Sequence, residues 1–141
     1  MAKRNTSTPV VTQARYEALA DFRFALRTFL AFSEAAATAV GLTPQQHQAL
    51  LAVKGTREGE NCGIRELAER LLIRHHSAVE LVDRLEAGGL VERRPDPTDG
   101  RRVQIALTRK SEQLLQSLSI AHLKELREIK PTFQALIAQF D

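Results

Sequence analysis

Apolar residues recur at helical spacing along the first part of the chain. From residue 13 to about residue 40 they follow the three-and-four spacing of one helical face. They are Leu19, Phe22, Leu26, Phe29 and Leu30. Phe24 and Phe32 lie off this face, so the predicted helix is apolar on more than one side. Such a helix needs two packing partners, and we expect one of them to belong to a second chain.

Three shorter helices are predicted between residues 43 and 88. The first begins with Thr43, Pro44 and Gln46, which supply an N-cap, a first-turn proline and a capping box. The second covers residues 63–72, and a turn at residues 73–76 leads to the third. Their inward residues are Ile64, Leu67, Ala68 and Leu71, and then Ala78, Leu81, Val82 and Leu85. Two short helices joined by a tight turn predict a helix-turn-helix.

A different periodicity follows. Residues 90–94 and 103–107 are two predicted strands, the second alternating apolar with small or polar residues around a turn that ends at Gly100. Thr108 is a plausible N-cap for a long last helix that carries Leu114, Leu115, Leu118, Leu126 and Ile129 on one side. Pro131 is expected to break or kink this helix, or to open a final short helix with Phe133 and Phe140.

Length and composition limit the class of protein. A chain of 141 residues is most economically one domain, with residues 1–12 as a flexible arm. No apolar stretch reaches the length of a membrane span and the N-terminus lacks a signal-peptide core, which predicts a soluble cytoplasmic protein. A net charge of +3 permits a nucleic-acid partner. Four arginines lie between residues 93 and 102, against two aspartates.

The fourth predicted helix presents a polar face. With its apolar side inward, the exposed residues are His75, His76, Ser77, Val79, Glu80, Asp83 and Arg84. The first five lie at the N-terminal end, which enters the major groove in this motif. Imidazole, hydroxyl and carboxylate groups can meet base edges there, and a valine can meet a thymine methyl group. The alternative is an ordinary solvated helix face. Unperturbed imidazoles titrate near pH 6.5, so pH-dependent binding is testable.

The hairpin favours DNA binding over that alternative. Arg101 and Arg102, held at its tip, can enter a narrow minor groove. Asp99 is placed to hold an arginine or the turn backbone. Arg93 and Arg94, near the root, are expected to reach phosphates. A charged hairpin is most often merely solvated, but one that directly follows a helix-turn-helix is typical of a wing.

Six segments in order resemble the multiple antibiotic resistance regulator (MarR) family of winged helix-turn-helix regulators. They are Leu42-Thr43-Pro44, Glu66-Leu67-Ala68, Asp83-Arg84-Leu85, Gly89-Leu90-Val91, Asp99-Gly100-Arg101 and Leu107-Thr108. The match covers residues 42–112. Departures from the family pattern occur at Gly63, Gly100, Ser111, the His75-His76 pair and Glu80, and these leave the operator sequence open.

The resemblance implies a mainly α fold with a small β-hairpin wing. Residues 42–108 would form the DNA-binding lobe, while residues 13–40 and 109–141 would form a dimerisation domain. It implies a homodimeric repressor on a pseudo-palindromic DNA duplex, with Arg101 in the minor groove, Asp99 supporting it and no cofactor. It also implies an aromatic or phenolic effector between the lobes, for which Phe22, Phe29 and His47 are the candidate residues. A structural role for His47 is the competing interpretation.

Other functions have weaker support in the sequence. His76, Glu80 and Asp83 share a helical face but lack a second ligand cluster for a metal. Cys62, the single cysteine, excludes an intrachain disulfide and has no resolving partner for a redox switch. No phosphate-binding glycine loop or nucleophile motif predicts an enzyme. A winged helix used only for protein interaction remains an alternative, and it predicts no salt-dependent DNA binding.

Overall fold

The computed structural model describes residues 10–139, so residues 1–9 of the predicted arm and Phe140 of the predicted last helix lie outside the described residues. These residues form five helices and one hairpin: α1 (Gln13–Ala39), α2 (Pro44–Lys54), α3 (Ile64–Leu71), α4 (His75–Ala87), β1 (Val91–Pro95), β2 (Val103–Leu107) and α5 (Arg109–Ala138). The described residues divide into two compact units, one made of residues 32–123 and the other of residues 10–31 and 124–139. We call them the winged-helix unit and the terminal-helix unit.

The capping signals at the start of α2 act as predicted. The Thr43 hydroxyl accepts a hydrogen bond from the Gln46 N–H at 3.1 Å, and the Thr43 N–H donates to the Gln46 side chain at 3.0 Å. Pro44 occupies the first turn, where its missing N–H costs no hydrogen bond. These contacts set the N-terminal end of α2.

Helices α3 and α4 form the predicted helix-turn-helix, with a shorter connection than expected. Because α4 begins at His75, the turn occupies residues 72–74 and not 73–76. It is made by Leu72, which adopts a left-handed conformation with φ 55° and is 92 % exposed. The Ile73 N–H donates to the Ala68 carbonyl at 3.0 Å, which closes the end of α3. A left-handed residue lets the chain reverse within three residues.

Gly63, which stands where the family pattern has Ser or Thr, caps α3 without a side chain. Its N–H donates to the Glu66 carboxylate at 3.1 Å, which is half of a capping box. A Cβ atom at this position would lie 3.0 Å from the Val103 carbonyl oxygen. The glycine therefore permits close approach of β2 to the start of α3, an approach that a capping serine would crowd.

The hairpin is a two-stranded antiparallel sheet. Val91 pairs with Leu107, Arg93 with Ile105, and Pro95 with Val103. Val91 and Ile105 are buried, while the residues toward the open end of the hairpin are increasingly exposed. One end of the hairpin is therefore anchored in the core, and the other carries the turn outward.

Helix α5 corrects one prediction. It runs from Arg109 to Ala138 with Pro131 inside it, so the predicted break and separate last helix are wrong. Proline removes one backbone donor, which leaves the Arg127 carbonyl without its helical partner. Arg127 and Pro131 are both exposed, so water can hydrate this carbonyl. The N-terminal end agrees with the sequence, since the Thr108 hydroxyl accepts from the Ser111 N–H at 3.3 Å.

The buried core lies in the winged-helix unit. Its largest fully buried side chains are Leu50, Leu67, Leu85, Val82 and Val91. All four residues predicted to face inward from α4 are buried, as are Leu67 and Ala68 of α3. This core holds α4 with its apolar side inward, which leaves the opposite side of the helix on the surface.

Candidate DNA-binding surface

Helix α4 exposes most of the residues predicted to read DNA. His75, His76, Glu80 and Arg84 are exposed, whereas Ser77 and Val79 are half-buried. Arg74 is the N-cap and makes no side-chain capping hydrogen bond. The first backbone N–H groups of a helix lack intrahelical acceptors. The N-terminal end of α4 therefore combines backbone donors with two imidazoles and a carboxylate.

A hydrogen-bonded turn builds the hairpin tip. The Asp96 carboxylate, in a residue only 9 % exposed, accepts from the Thr98 N–H at 2.9 Å and the Thr98 hydroxyl at 2.8 Å. These two hydrogen bonds lower the pKa of Asp96, which favours its ionised form. The Asp96 N–H donates to the Arg102 carbonyl at 2.9 Å and so bridges the two strands. No role for Asp96 was predicted from the sequence, although an Asp-Pro-Thr turn is a signal for a hydrogen bond of this kind.

Asp99 holds the turn backbone, one of the two roles expected for it. Its carboxylate accepts from the Arg101 N–H at 3.1 Å, and its carbonyl accepts from the Arg102 N–H at 3.0 Å. Arg101 and Arg102 are both exposed, and neither makes an ion pair within 4 Å among the described residues. The backbone at the tip is therefore ordered while both guanidinium groups face solvent.

The two arginines at the root of the hairpin differ from those at the tip. Arg93 pairs with Asp83 at 2.6 Å and with Glu86 at 2.9 Å, and its side chain is only 28 % exposed. Arg94 pairs with Glu92 at 2.8 Å and stays exposed. Glu86 was not singled out in the sequence, although it lies one helical turn after Asp83 on the same face. Its role required knowing where β1 returns against α4.

The three candidate effector residues are divided between the units. Phe22, in the terminal-helix unit, meets Phe133 edge to face at a centroid distance of 5.5 Å, and Phe29 of the same unit is half-buried. His47, in the winged-helix unit, is 2 % exposed, and its ring lies 4.9 Å from that of His122. Burial, followed by the neighbouring His122, lowers the pKa of His47. Its Nδ1 has no hydrogen-bond partner among the described residues.

The surroundings of Cys62 and of the acidic and histidine side chains bear on the redox and metal alternatives. Cys62 is 4 % exposed, and burial raises the pKa of its thiol despite a hydrogen bond with Thr56. A raised thiol pKa disfavours the reactive thiolate. Within residues 10–139, no group of three or more His, Cys, Asp or Glu side chains is placed to hold a metal ion. None of the helices in this range is long and apolar enough to cross a bilayer.

Comparison with known structures gives the same architecture. AbsC, a MarR family transcriptional regulator from Streptomyces coelicolor, is 20 % identical with a TM-score of 0.66, covering 86 % of this chain and 81 % of its own. A MepR variant from S. aureus bound to an oligodeoxyribonucleotide is 17 % identical with a TM-score of 0.66, covering 89 % and 98 %. CouR from Rhodococcus jostii RHA1 bound to p-coumaroyl-CoA is 22 % identical with a TM-score of 0.66, covering 89 % and 95 %. No curated protein matches the sequence significantly.

A helix-turn-helix followed by a two-stranded hairpin with arginines at its tip is the arrangement of a winged helix. Residues 40–102, which contain both features, match the sequence model of the MarR family. This segment is similar to MarR family transcriptional regulators, and the solved structures above share the winged helix-turn-helix fold of the chain. Regulators of this family are not enzymes, in agreement with the sequence analysis.

Proposed function

We propose that the protein is a homodimeric cytoplasmic repressor that binds a pseudo-palindromic DNA duplex. Each protomer would place the N-terminal end of α4 in the major groove and the tip of its hairpin in the adjacent minor groove. Half-sites would then lie about 10 base pairs apart, one turn of the duplex. One observation carries the proposal. The winged-helix unit buries the apolar side of α4 and the root of the hairpin, while the N-terminal end of α4 and the tip of the hairpin are exposed.

Recognition of bases is assigned to the start of α4. His75, His76 and Glu80 have exposed polar groups that can donate to or accept from base edges, and Arg84 lies further along the same helix. Ser77 and Val79 are half-buried, which suits contacts at the edge of the surface with a phosphate or a thymine methyl group.

Affinity is assigned mainly to the hairpin. Arg101 would enter the minor groove, where the narrow walls concentrate negative potential, and Arg102 and Arg94 would contact the sugar-phosphate backbone. The bonds within the turn support this proposal because a preordered backbone loses less conformational entropy when the arginines bind. Asp99 contributes through its hydrogen bond to the Arg101 N–H.

The terminal-helix unit supplies the proposed dimer contact. Phe24 is 75 % exposed, Ile137 59 % and Tyr16 57 %. A groove of about 630 Å³ lies between α1 and α5 in this unit, and Phe24 and several alanines line it. Apolar surfaces of this kind in a regulator are covered most simply by a second copy under two-fold symmetry.

Response to a small aromatic or phenolic effector is the second part of the proposal. The buried Nδ1 of His47, without a hydrogen-bond partner among the described residues, favours a ligand carrying a phenol or carboxylate. CouR bound to p-coumaroyl-CoA is an aromatic-ligand complex of the same fold. An effector would act only through different affinities for the DNA-binding and non-binding states. If no aromatic acid or phenol in a screen changes DNA affinity, this part of the proposal fails.

Fluorescence anisotropy with the DNA upstream of the protein's own gene tests the main proposal. We expect tight, salt-sensitive binding that exceeds binding to a scrambled duplex by at least about a thousandfold, the lower range for specific sites. Equal, weak binding to both duplexes would require a search of other promoter regions by selection from a random-sequence library. Failure to bind any duplex at low salt would favour the protein-interaction alternative.

A further inference from the structure

Arg93 links the hairpin to the recognition helix through three hydrogen bonds. Its Nη2 donates to Asp83 Oδ1 at 2.6 Å and its Nη1 donates to Glu86 Oε1 at 2.9 Å. Its backbone N–H donates to Glu86 Oε2 at 3.2 Å. Asp83 and Glu86 are one turn apart on α4, so one strand residue binds two successive turns of the helix.

These contacts differ from an ordinary surface ion pair. The guanidinium binds two carboxylates at once, and its side chain is 28 % exposed, against 58 % for Arg94. Partial burial lowers the pKa of Arg93, but the hydrogen bonds and negative charges of Asp83 and Glu86 outweigh burial and raise it. In the sheet, Arg93 pairs with Ile105, which is 2 % exposed. The contacts of Arg93 with Asp83 and Glu86 therefore lie where the hairpin meets the core.

The length of the hairpin makes this position sensitive. A strand advances about 3.3 Å per residue, so the tip lies on the order of 10 Å beyond Arg93. At that distance a rotation of about 10° at the root would displace the tip by roughly 2 Å, enough to misplace a groove contact held within about 3 Å. Small changes at the root thus become changes in how the wing fits the duplex.

We propose that Arg93 is a positioning residue that sets the angle between the wing and the recognition helix by binding Asp83 and Glu86. This replaces the phosphate contact predicted from the sequence, because Nη1 and Nη2 of the Arg93 guanidinium each bind a carboxylate of α4. The inference rests on the proposed function, since it concerns how α4 and the wing fit one duplex together.

A pair of neighbouring arginines provides the test. Arg93→Met and Arg94→Met remove the same charge from the same strand, but only the first breaks contacts with α4. We expect Arg93→Met to weaken binding to the operator about tenfold. Binding to the scrambled duplex should weaken no more in Arg93→Met than it does in Arg94→Met. Melting temperatures measured in parallel exclude unfolding as the cause.

The acidic partners discriminate between the two roles of Arg93. If Arg93 positions the wing, the double variant Asp83→Asn/Glu86→Gln will lower the ratio of operator to scrambled binding, and adding Arg93→Met will cause little further loss. If Arg93 instead contacts a phosphate, the double variant will raise both affinities equally. In that case Arg93→Met will lower both and reduce the salt slope by about one, which would overturn the proposal.

Hydrogen exchange of the free protein separates this inference from the proposed function. Arg93→Met should speed exchange of the hairpin amides, including those of Asp96 and Arg102, while the amides of Leu81 and Val82 keep their protection. Arg94→Met should leave the hairpin unchanged. Unaltered exchange in Arg93→Met would disprove the link itself. If the link holds but the wild-type protein selects no duplex, the repressor proposal fails and the positioning role of Arg93 on DNA falls with it.

Discussion

The winged-helix unit and the terminal-helix unit cover their apolar residues in opposite ways. In the first, sixteen apolar residues are buried, among them Leu50, Leu67 and Leu85. In the second, Ala25 is the only buried apolar residue among residues 10–31 and 124–139, while Phe24 is 75 % exposed. Both units are built from amphipathic elements, so composition alone does not explain the difference.

The difference in burial between the two units follows from the number and arrangement of their helices and strands. The winged-helix unit packs short elements at several angles, which closes a core within one protomer. The described parts of the terminal-helix unit come from only two helices, and two helices cannot enclose an apolar interior by themselves. We therefore expect substitutions in the first unit to change stability and those in the second to change assembly.

The largest expected effect is in the core of the winged-helix unit. Leu85 is 1 % exposed and anchors α4, so Leu85→Ala should lower the free energy of unfolding by about 2–5 kcal/mol. Urea denaturation measures this loss. Leu72→Ala, at a leucine 92 % exposed, is the control and should change stability by less than about 1 kcal/mol. Equal losses of unfolding free energy in Leu85→Ala and Leu72→Ala would contradict the assignment of Leu85 to the core.

The next effect concerns assembly through the terminal-helix unit. Phe24→Gln should weaken dimerisation by about 2–4 kcal/mol, because a large aromatic side chain at the centre of an interface contributes on this scale. Sedimentation velocity over a range of protein concentrations gives the dissociation constant. Arg27→Gln, at an exposed polar residue of the same helix, should have little effect. An unchanged dimer in Phe24→Gln would place the interface elsewhere.

A smaller effect, confined to function, is expected at the hairpin tip. Arg101→Ala should weaken operator binding by about 1–3 kcal/mol, the value of one good groove contact, without changing stability or dimerisation. Anisotropy titrations with the operator measure the change. Gln104→Ala, at a half-buried polar residue of β2, is the comparison. If affinity is retained in Arg101→Ala, the minor-groove contact assigned to Arg101 is wrong.

The smallest expected effect is the pH dependence of stability due to His47. Its pKa is lower in the folded protein than the ordinary value of 6.5, so the unfolded chain takes up the proton first as the pH falls. Stability due to neutral His47 is therefore complete above pH 6.5 and is lost as the pH falls below it. His47→Gln should reduce this loss in urea denaturation between pH 8 and pH 5, whereas His75→Gln at an exposed position should preserve it.

Features that depend on near neighbours in sequence were predictable. The capping box at Thr43, the inward face of α4 and the support of the turn by Asp99 all follow from spacings of two to seven residues. The predicted helix break at Pro131 was wrong because a proline is judged by its sequence neighbours, whereas exposure of the helix allows the freed Arg127 carbonyl to be hydrated. The assignments of individual residues to DNA, effector and dimer contacts remain predictions.

By itself the sequence determined the order of the elements, their apolar faces and the family resemblance of the winged-helix unit, because each depends on local periodicity and short motifs. The tertiary structure alone decided which charged residues were already engaged. Arg93 and Arg101 are both arginines of one hairpin, yet the first is bound to Asp83 and Glu86 and the second faces solvent. An ion pair depends on where a strand returns against a helix, and that distance is set by the packing of Val91, Ile105 and Leu85 in the core.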